Sequence, residues 1–237
     1  MAGPCFANHL SVHAGLSGHR HWAVADLGES PLVIGSGDFN RDGIADLVEV
    51  TAGEPEPLLT VLLGRADGTF APVASREAVG GAPTALVVGD FNGDGNSDVI
   101  VGDRDGALLE FAGDGRGNLL PARTIATFGS ITSIAEGHFT RSGHLDLVVA
   151  DGRSRSGVVL RGAGDGSFRP VWTFPLPKTG ADFHLGTADF NGDGIPDLVI
   201  SSDDSEDYEV MLGTGMGTFA YSPKYSYIRD PNSYCPS

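Results

Sequence analysis

Short apolar runs rich in β-branched residues recur along this chain, each bounded by glycine, aspartate or asparagine. Four of them precede a common loop: Leu32-Val33-Ile34, Ala85-Leu86-Val87-Val88, Ile131-Thr132-Ser133-Ile134 and His184-Leu185-Gly186. A second run follows the loop, as in Asp98-Val99-Ile100-Val101 and Asp197-Leu198-Val199-Ile200. None of these carries a 3.6-residue apolar stripe, so the pattern predicts strands. A third run ends in a glycine-rich hairpin, Gly64 to Phe70, Gly113 to Leu119, Gly162 to Phe168 and Gly213 to Phe219, and a fourth strand completes the unit. Glycine and aspartate supply the positive φ that tight hairpins demand.

The loop between the first two strands is spelled almost identically three times. Asp38-Phe39-Asn40-Arg41-Asp42-Gly43-Ile44-Ala45-Asp46, Asp90-Phe91-Asn92-Gly93-Asp94-Gly95-Asn96-Ser97-Asp98 and Asp189-Phe190-Asn191-Gly192-Asp193-Gly194-Ile195-Pro196-Asp197 each place oxygen side chains at positions 1, 3, 5 and 9. Glycine at position 6 allows the sharp turn that wraps such a loop around a hard cation. Three carboxylates this close repel one another unless a divalent ion neutralises them, and calcium is the natural occupant. An EF-hand is excluded by the flanks: its bidentate position 12 is Glu49 in the first copy but Val101 and Ile200 in the others, and strands follow in place of helices. The third copy, His138 to Asp146, keeps the phenylalanine, the glycine and the last aspartate. It has lost the carboxylates at positions 1 and 5, so no ion is expected there and His138 is expected to pair with Asp146 instead.

A step of about 50 residues between these loops signals a repeat architecture, and four short strands per step make a propeller blade. The chain resembles the FG-GAP/VCBS repeat family, the β-propellers of integrin α-subunit heads and of many secreted bacterial and fungal proteins. The resemblance covers roughly residues 30 to 224 and rests on the Asp-Phe-Asn-Gly-Asp-Gly core. It implies an all-β propeller in which positions 1, 3, 5 and 9 bind calcium through side chains and position 7 through its carbonyl. That assigns Asp38, Asn40, Asp42, Ile44 and Asp46 to one ion, Asp90, Asn92, Asp94, Asn96 and Asp98 to a second, and Asp189, Asn191, Asp193, Ile195 and Asp197 to a third.

The whole chain, residues 1–237, reads as one domain with blades at about 30–80, 81–128, 129–178 and 179–224. Residues 5–28 resemble the last two strands of a blade and 225–237 offer a further strand, so the termini are expected to share a fifth blade. A truncated array that needs a partner chain is the alternative. In a closed ring the ends meet, and Cys5 and Cys235, the two cysteines, are then expected to form a disulfide; two free thiols are the other reading.

The formal charge of −16 includes nine acidic residues in the three complete loops, so three bound calcium ions would bring it to about −10. Nucleic acid and anionic membranes are disfavoured as partners by this charge. No apolar run reaches the length of a membrane span and no basic-then-apolar leader is read at the N-terminus. Loops of this kind suit a compartment rich in calcium, so an extracellular, cell-surface or periplasmic location is expected. Among seven histidines none is marked as part of a catalytic set, and Arg153 with Arg155 reads as a small solvated basic spot. The expectation is a non-catalytic module that binds a protein or glycan, with a secreted hydrolase or its accessory domain as the competing reading.

Overall fold

A computed structural model describes residues 31–224, apart from 53–54, 72–73, 179 and 204–207, together with Ser226 and the backbone of 11–12 and 23–24. Among the described residues every regular element is a strand. β1 (Ser11–Val12) and β2 (Ala23–Val24) pair antiparallel. Four antiparallel sheets of four strands follow in chain order. The first contains β3 (Pro31–Gly37), β4 (Asp46–Thr51), β5 (Leu58–Leu62) and β6 (Ser75–Ala78). The second contains β7 (Pro83–Gly89), β8 (Asp98–Asp103), β9 (Ala107–Phe111) and β10 (Arg123–Thr127). The third contains β11 (Ile131–Gly137), β12 (Asp146–Asp151), β13 (Ser156–Gly162) and β14 (Phe168–Pro175). The fourth contains β15 (Phe183–Ala188), β16 (Asp197–Ser202), β17 (Tyr208–Gly213) and β18 (Phe219–Tyr221).

These are blades. Their first strands touch in succession, β3 with β7, β7 with β11 and β11 with β15, so they line the inside of an arc. The fully buried second strands β8 and β12 feed two interfaces at once, because alternate side chains leave opposite faces of a sheet. Val99 and Val101 join Phe39, Val48 and Val61 of blade one, while Ile100 joins Ile134, Leu147 and Val149 of blade three. Val148 and Ala150 in turn meet Leu198 and Ile200 of blade four. The core is therefore a series of inter-blade layers.

Each of the first three junctions is locked by the same pair of groups. Phe39, Phe91 and Phe139 are 1–2% exposed, and their carbonyls accept the N–H of Gly117, Gly166 and Gly217 from the next blade's hairpin at 2.9, 3.1 and 2.9 Å. Phe190, the fourth of the series, is 40% exposed. Of the expected composite fifth blade the structure describes the β1–β2 backbone pairing, and of 225–237 Ser226, whose Oγ accepts the Val210 N–H at 2.8 Å; the rest of both segments, with Cys5 and Cys235, lies outside the described residues.

Candidate cation loops and the opposite cavity

The three complete loops follow the ends of β3, β7 and β15, and all three wind alike. In the second, Asp90 accepts the N–H of Gly93 at 2.7 Å and of Gly95 at 3.0 Å, Asn92 accepts that of Asp94 at 2.8 Å, and Asp94 accepts that of Asn96 at 2.8 Å. Asp38, Asn40 and Asp42 repeat these bonds to Asp42, Gly43 and Ile44. Asp189, Asn191 and Asp193 do so with Gly192, Asp193, Gly194 and Ile195. Gly43, Gly95 and Gly194 take the left-handed turn at φ 78°, 78° and 80° that position 6 requires.

The aspartate at position 9 has a different environment. Asp46, Asp98 and Asp197 are 0–1% exposed, and each carboxylate takes two backbone N–H bonds. One comes from the loop phenylalanine, Phe39 at 2.7 Å, Phe91 at 3.0 Å and Phe190 at 2.9 Å. The other comes from the hairpin, Gly64 at 2.7 Å, Gly113 at 2.9 Å and Gly213 at 2.7 Å. Asp146 of the third loop makes a similar brace, taking the N–H of Thr140, one position later, at 2.6 Å and that of Gly162 at 3.0 Å. A brace of this kind ties loop to hairpin in all four blades. It was not legible in the sequence, where ligand and brace are the same residue type.

The donor set fits a hard cation. Each loop offers three carboxylates, one carboxamide oxygen and backbone carbonyls, and a carboxylate oxygen holding one N–H retains a second acceptor site. Burial pushes the Asp98 carboxyl up to about 6, against the N–H bonds of Gly113 and Phe91 and with the nearby charges of Asp94 and Glu110 adding to the rise. Asp46 is raised for the same leading reason, with Asp42 and Asp38 contributing. Asp189, by contrast, is lowered, chiefly by the Gly194 N–H. Negative charge is thus costly at Asp46 and Asp98, and a divalent ion would relieve that cost. Among the described residues no three carboxylate, imidazole or thiol groups already converge on one point.

The third loop corrects one expectation. His138 does not pair with Asp146; its Nδ1 lies 3.0 Å from the His144 carbonyl. Asp146 is already satisfied by two N–H donors, and Thr140 Oγ1 sits 3.2 Å from it and 3.0 Å from Ser142 Oγ. Small hydroxyls fill the space between, which leaves the imidazole nothing to replace. A second correction concerns Arg155. It is half-buried, donates to the carbonyls of Gly180 at 2.7 Å and Pro177 at 2.5 Å and places its guanidinium 5.3 Å from the Phe183 ring centroid, while Arg153 is exposed as expected.

At the opposite end, where the inner strands begin, lies a cavity of about 540 Å³. Leu32, Thr84, Thr132 and His184, the second residues of β3, β7, β11 and β15, all line it. Arg104, just past β8, forks onto Asp182, just before β15, at 3.1 and 3.2 Å, spanning from blade two to blade four. His184 Nε2 lies 2.5 Å from Asp203 Oδ1. Partners 78 and 19 residues apart in sequence gave no local signal of these pairs. Among the described residues no helix is long and apolar enough to cross a membrane.

Comparison with known proteins agrees with this geometry. No curated protein matches the chain. Among solved structures, a rhamnogalacturonan lyase of Bacillus licheniformis is similar at 17% identity and TM-score 0.53, over 81% of this chain and 42% of that one. The periplasmic gluconolactonase of Pseudomonas aeruginosa is similar at 16% identity and TM-score 0.53, over 84% of this chain and 57% of that one. BBS1N, solved in complex with ARL6DN, is similar at 14% identity and TM-score 0.52, over 86% of this chain and 59% of that one. The chain therefore spans about half the length of these structures, and likeness at such identity concerns the fold alone. A family model described as FG-GAP-like repeat matches residues 38–101, 90–149 and 138–200, each match running from one loop through the next. Together these matches extend over well more than half of the sequence, and the chain belongs to the FG-GAP-like repeat family.

Proposed function

We propose that this protein is a non-catalytic binding module: a propeller held by three calcium ions that presents its other face to a macromolecular partner, protein or glycan, outside the cytoplasm. The termini complete a fifth blade and Cys5 and Cys235 join them. The observation that carries the reading is the division of labour between the two ends of the inner strands. At one end the oxygen donors are wound into ion loops; at the other, all four blades contribute to a cavity that mixes exposed charge with apolar wall. Concave sites with a few convergent polar groups are the usual place for a ligand. Arg104 and Asp182 are 56% and 34% exposed and His184 and Asp203 are 57% and 61% exposed, so a ligand can reach all four groups.

In this reading Asp38, Asn40, Asp42 and Asp46, with the Ile44 carbonyl, hold the first ion, and the matching residues of loops two and four hold the others. The ions neutralise the loop carboxylates and fix the loops; the partner does not touch them. Capture of a protein from source extract, and binding on a glycan array, should survive replacement of calcium by Mn²⁺. Both should fail in chelator together with amide-exchange protection in blades one, two and four. The R104A/H184A double variant should lose capture while keeping protection. Undiminished capture by that variant would remove the cavity from the reading.

A further inference from the structure

Arg41 stands at position 4 of the first loop with φ 61°. Loops two and four carry glycine there, Gly93 at 77° and Gly192 at 80°. A side chain held in this left-handed region is strained where glycine is not, so the arginine needs a compensating contact. It has one in the neighbouring loop. Arg41 Nη2 donates to the Asp94 carbonyl at 2.9 Å and Nε to the Gly95 carbonyl at 3.2 Å. Ser97 Oγ reaches back to the Asp38 carbonyl at 3.0 Å. Gly95 leaves room for the guanidinium, since a Cβ there would lie 2.8 Å from Nη2.

We infer that Arg41 joins the first and second cation loops into one cooperative pair, in which filling either loop tightens the other. The inference rests on the calcium reading above. Arg41 lies between Asn40 and Asp42, ligands at positions 3 and 5, so an ion in the first loop fixes the backbone from which the guanidinium extends. That guanidinium holds the peptide units after Asp94 and Gly95, which lie between the position 5 carboxylate and the position 7 carbonyl of Asn96. Gly95 N also supports Asp90 at position 1. Its bonds go to main-chain oxygens, so it does not compete with an ion for the loop carboxylates. The two loops thus share one ordered element that both ions bias, the physical requirement for coupling.

The third loop supplies an internal comparison. Arg141 occupies the same position and runs past Gly215 as Arg41 runs past Gly115, the two Nε atoms lying 3.1 and 3.4 Å from where each glycine would carry a Cβ. Among the described residues Arg141 donates to no carbonyl of the fourth loop. Its own loop lacks the donor set, so there is no pair to join. Loops one and two are the neighbours that both have it.

Calorimetric calcium titration of metal-stripped protein carrying D193A isolates these two loops. Two ions should bind with a Hill coefficient above 1. Adding D42A should remove one ion and weaken the remaining one about five-fold or more relative to the two-loop protein. In R41G, whose glycine suits the backbone angle, two ions should still bind, the Hill coefficient should fall to 1, and D42A should no longer affect the second loop. R41Q, which keeps length but not the paired donors, gives the same readout should amide exchange show R41G to be poorly folded. Two independent ions in the Arg41 protein would overturn the coupling and leave the calcium reading intact. Binding at neither loop would overturn both.

Discussion

Arg104 and Asp182 belong to blades that are not neighbours, yet their side chains meet in a two-pronged ion pair at 3.1 and 3.2 Å beside the cavity they line. Both are partly exposed, so the pair contributes little to stability. R104A should therefore change unfolding free energy by less than about 1 kcal/mol in urea titration, while abolishing partner capture. A large stability loss would make the pair a structural strap.

Brace and ligand roles coincide at position 9 of the three complete loops but should separate at Asp146, a brace alone, and Asp42, a ligand alone. D146A strips two buried N–H groups of their acceptor and should cost about 1–3 kcal/mol for each, equally in calcium and in chelator. D42A should lower thermal stability in calcium far more than in chelator. Elemental analysis of the wild-type protein purified in calcium should give three ions per chain, and of D42A two.

The junction phenylalanines should be unequal. F91A empties a fully buried site and should cost about 3–5 kcal/mol. F190A, at a position left 40% exposed, should cost less than half as much. Equal costs in urea titration would mean that Phe190 is covered in solution as the others are.

Glu136, near the end of β11, sets a pH dependence of its own. Burial raises its carboxyl above 4.5, with its own N–H opposing the rise. A folded-state value above the unfolded one means the folded state holds the proton more tightly, so this group's effect on stability becomes unfavourable as pH rises through the interval between them. E136Q should melt at a higher temperature than wild type at pH 7 and at the same temperature below pH 4. A difference independent of pH would assign the effect to packing.

Strand order and the four four-stranded units were legible because apolar runs and glycine-rich turns repeat with one period. The inner strands read as Ala85 to Val88 and His184 to Gly186 extend to Pro83–Gly89 and Phe183–Ala188, since ladder pairing continues past the apolar stretch. The three alike loops were legible too, from their repeated spelling. What spacing cannot carry is direction: Asp98 points into the blade toward Gly113, and Arg41 points out toward Asp94. Histidine chemistry was misread at position 138 because a lost carboxylate suggested a substitute charge, whereas hydroxyls of Thr140 and Ser142 took up the space.

The junction between blades has polarity. The earlier blade always offers a loop carbonyl and a phenylalanine, and the later blade always answers with a hairpin glycine. The arc thus has a plug at one end, where Gly68 N turns inward to its own hairpin's Arg65 carbonyl at 2.9 Å, and a socket at the other, at Phe190. A gene duplication that copies one whole repeat copies a plug and a socket together. Every new junction is matched from birth, and the number of blades can change by whole units without any residue having to adapt first.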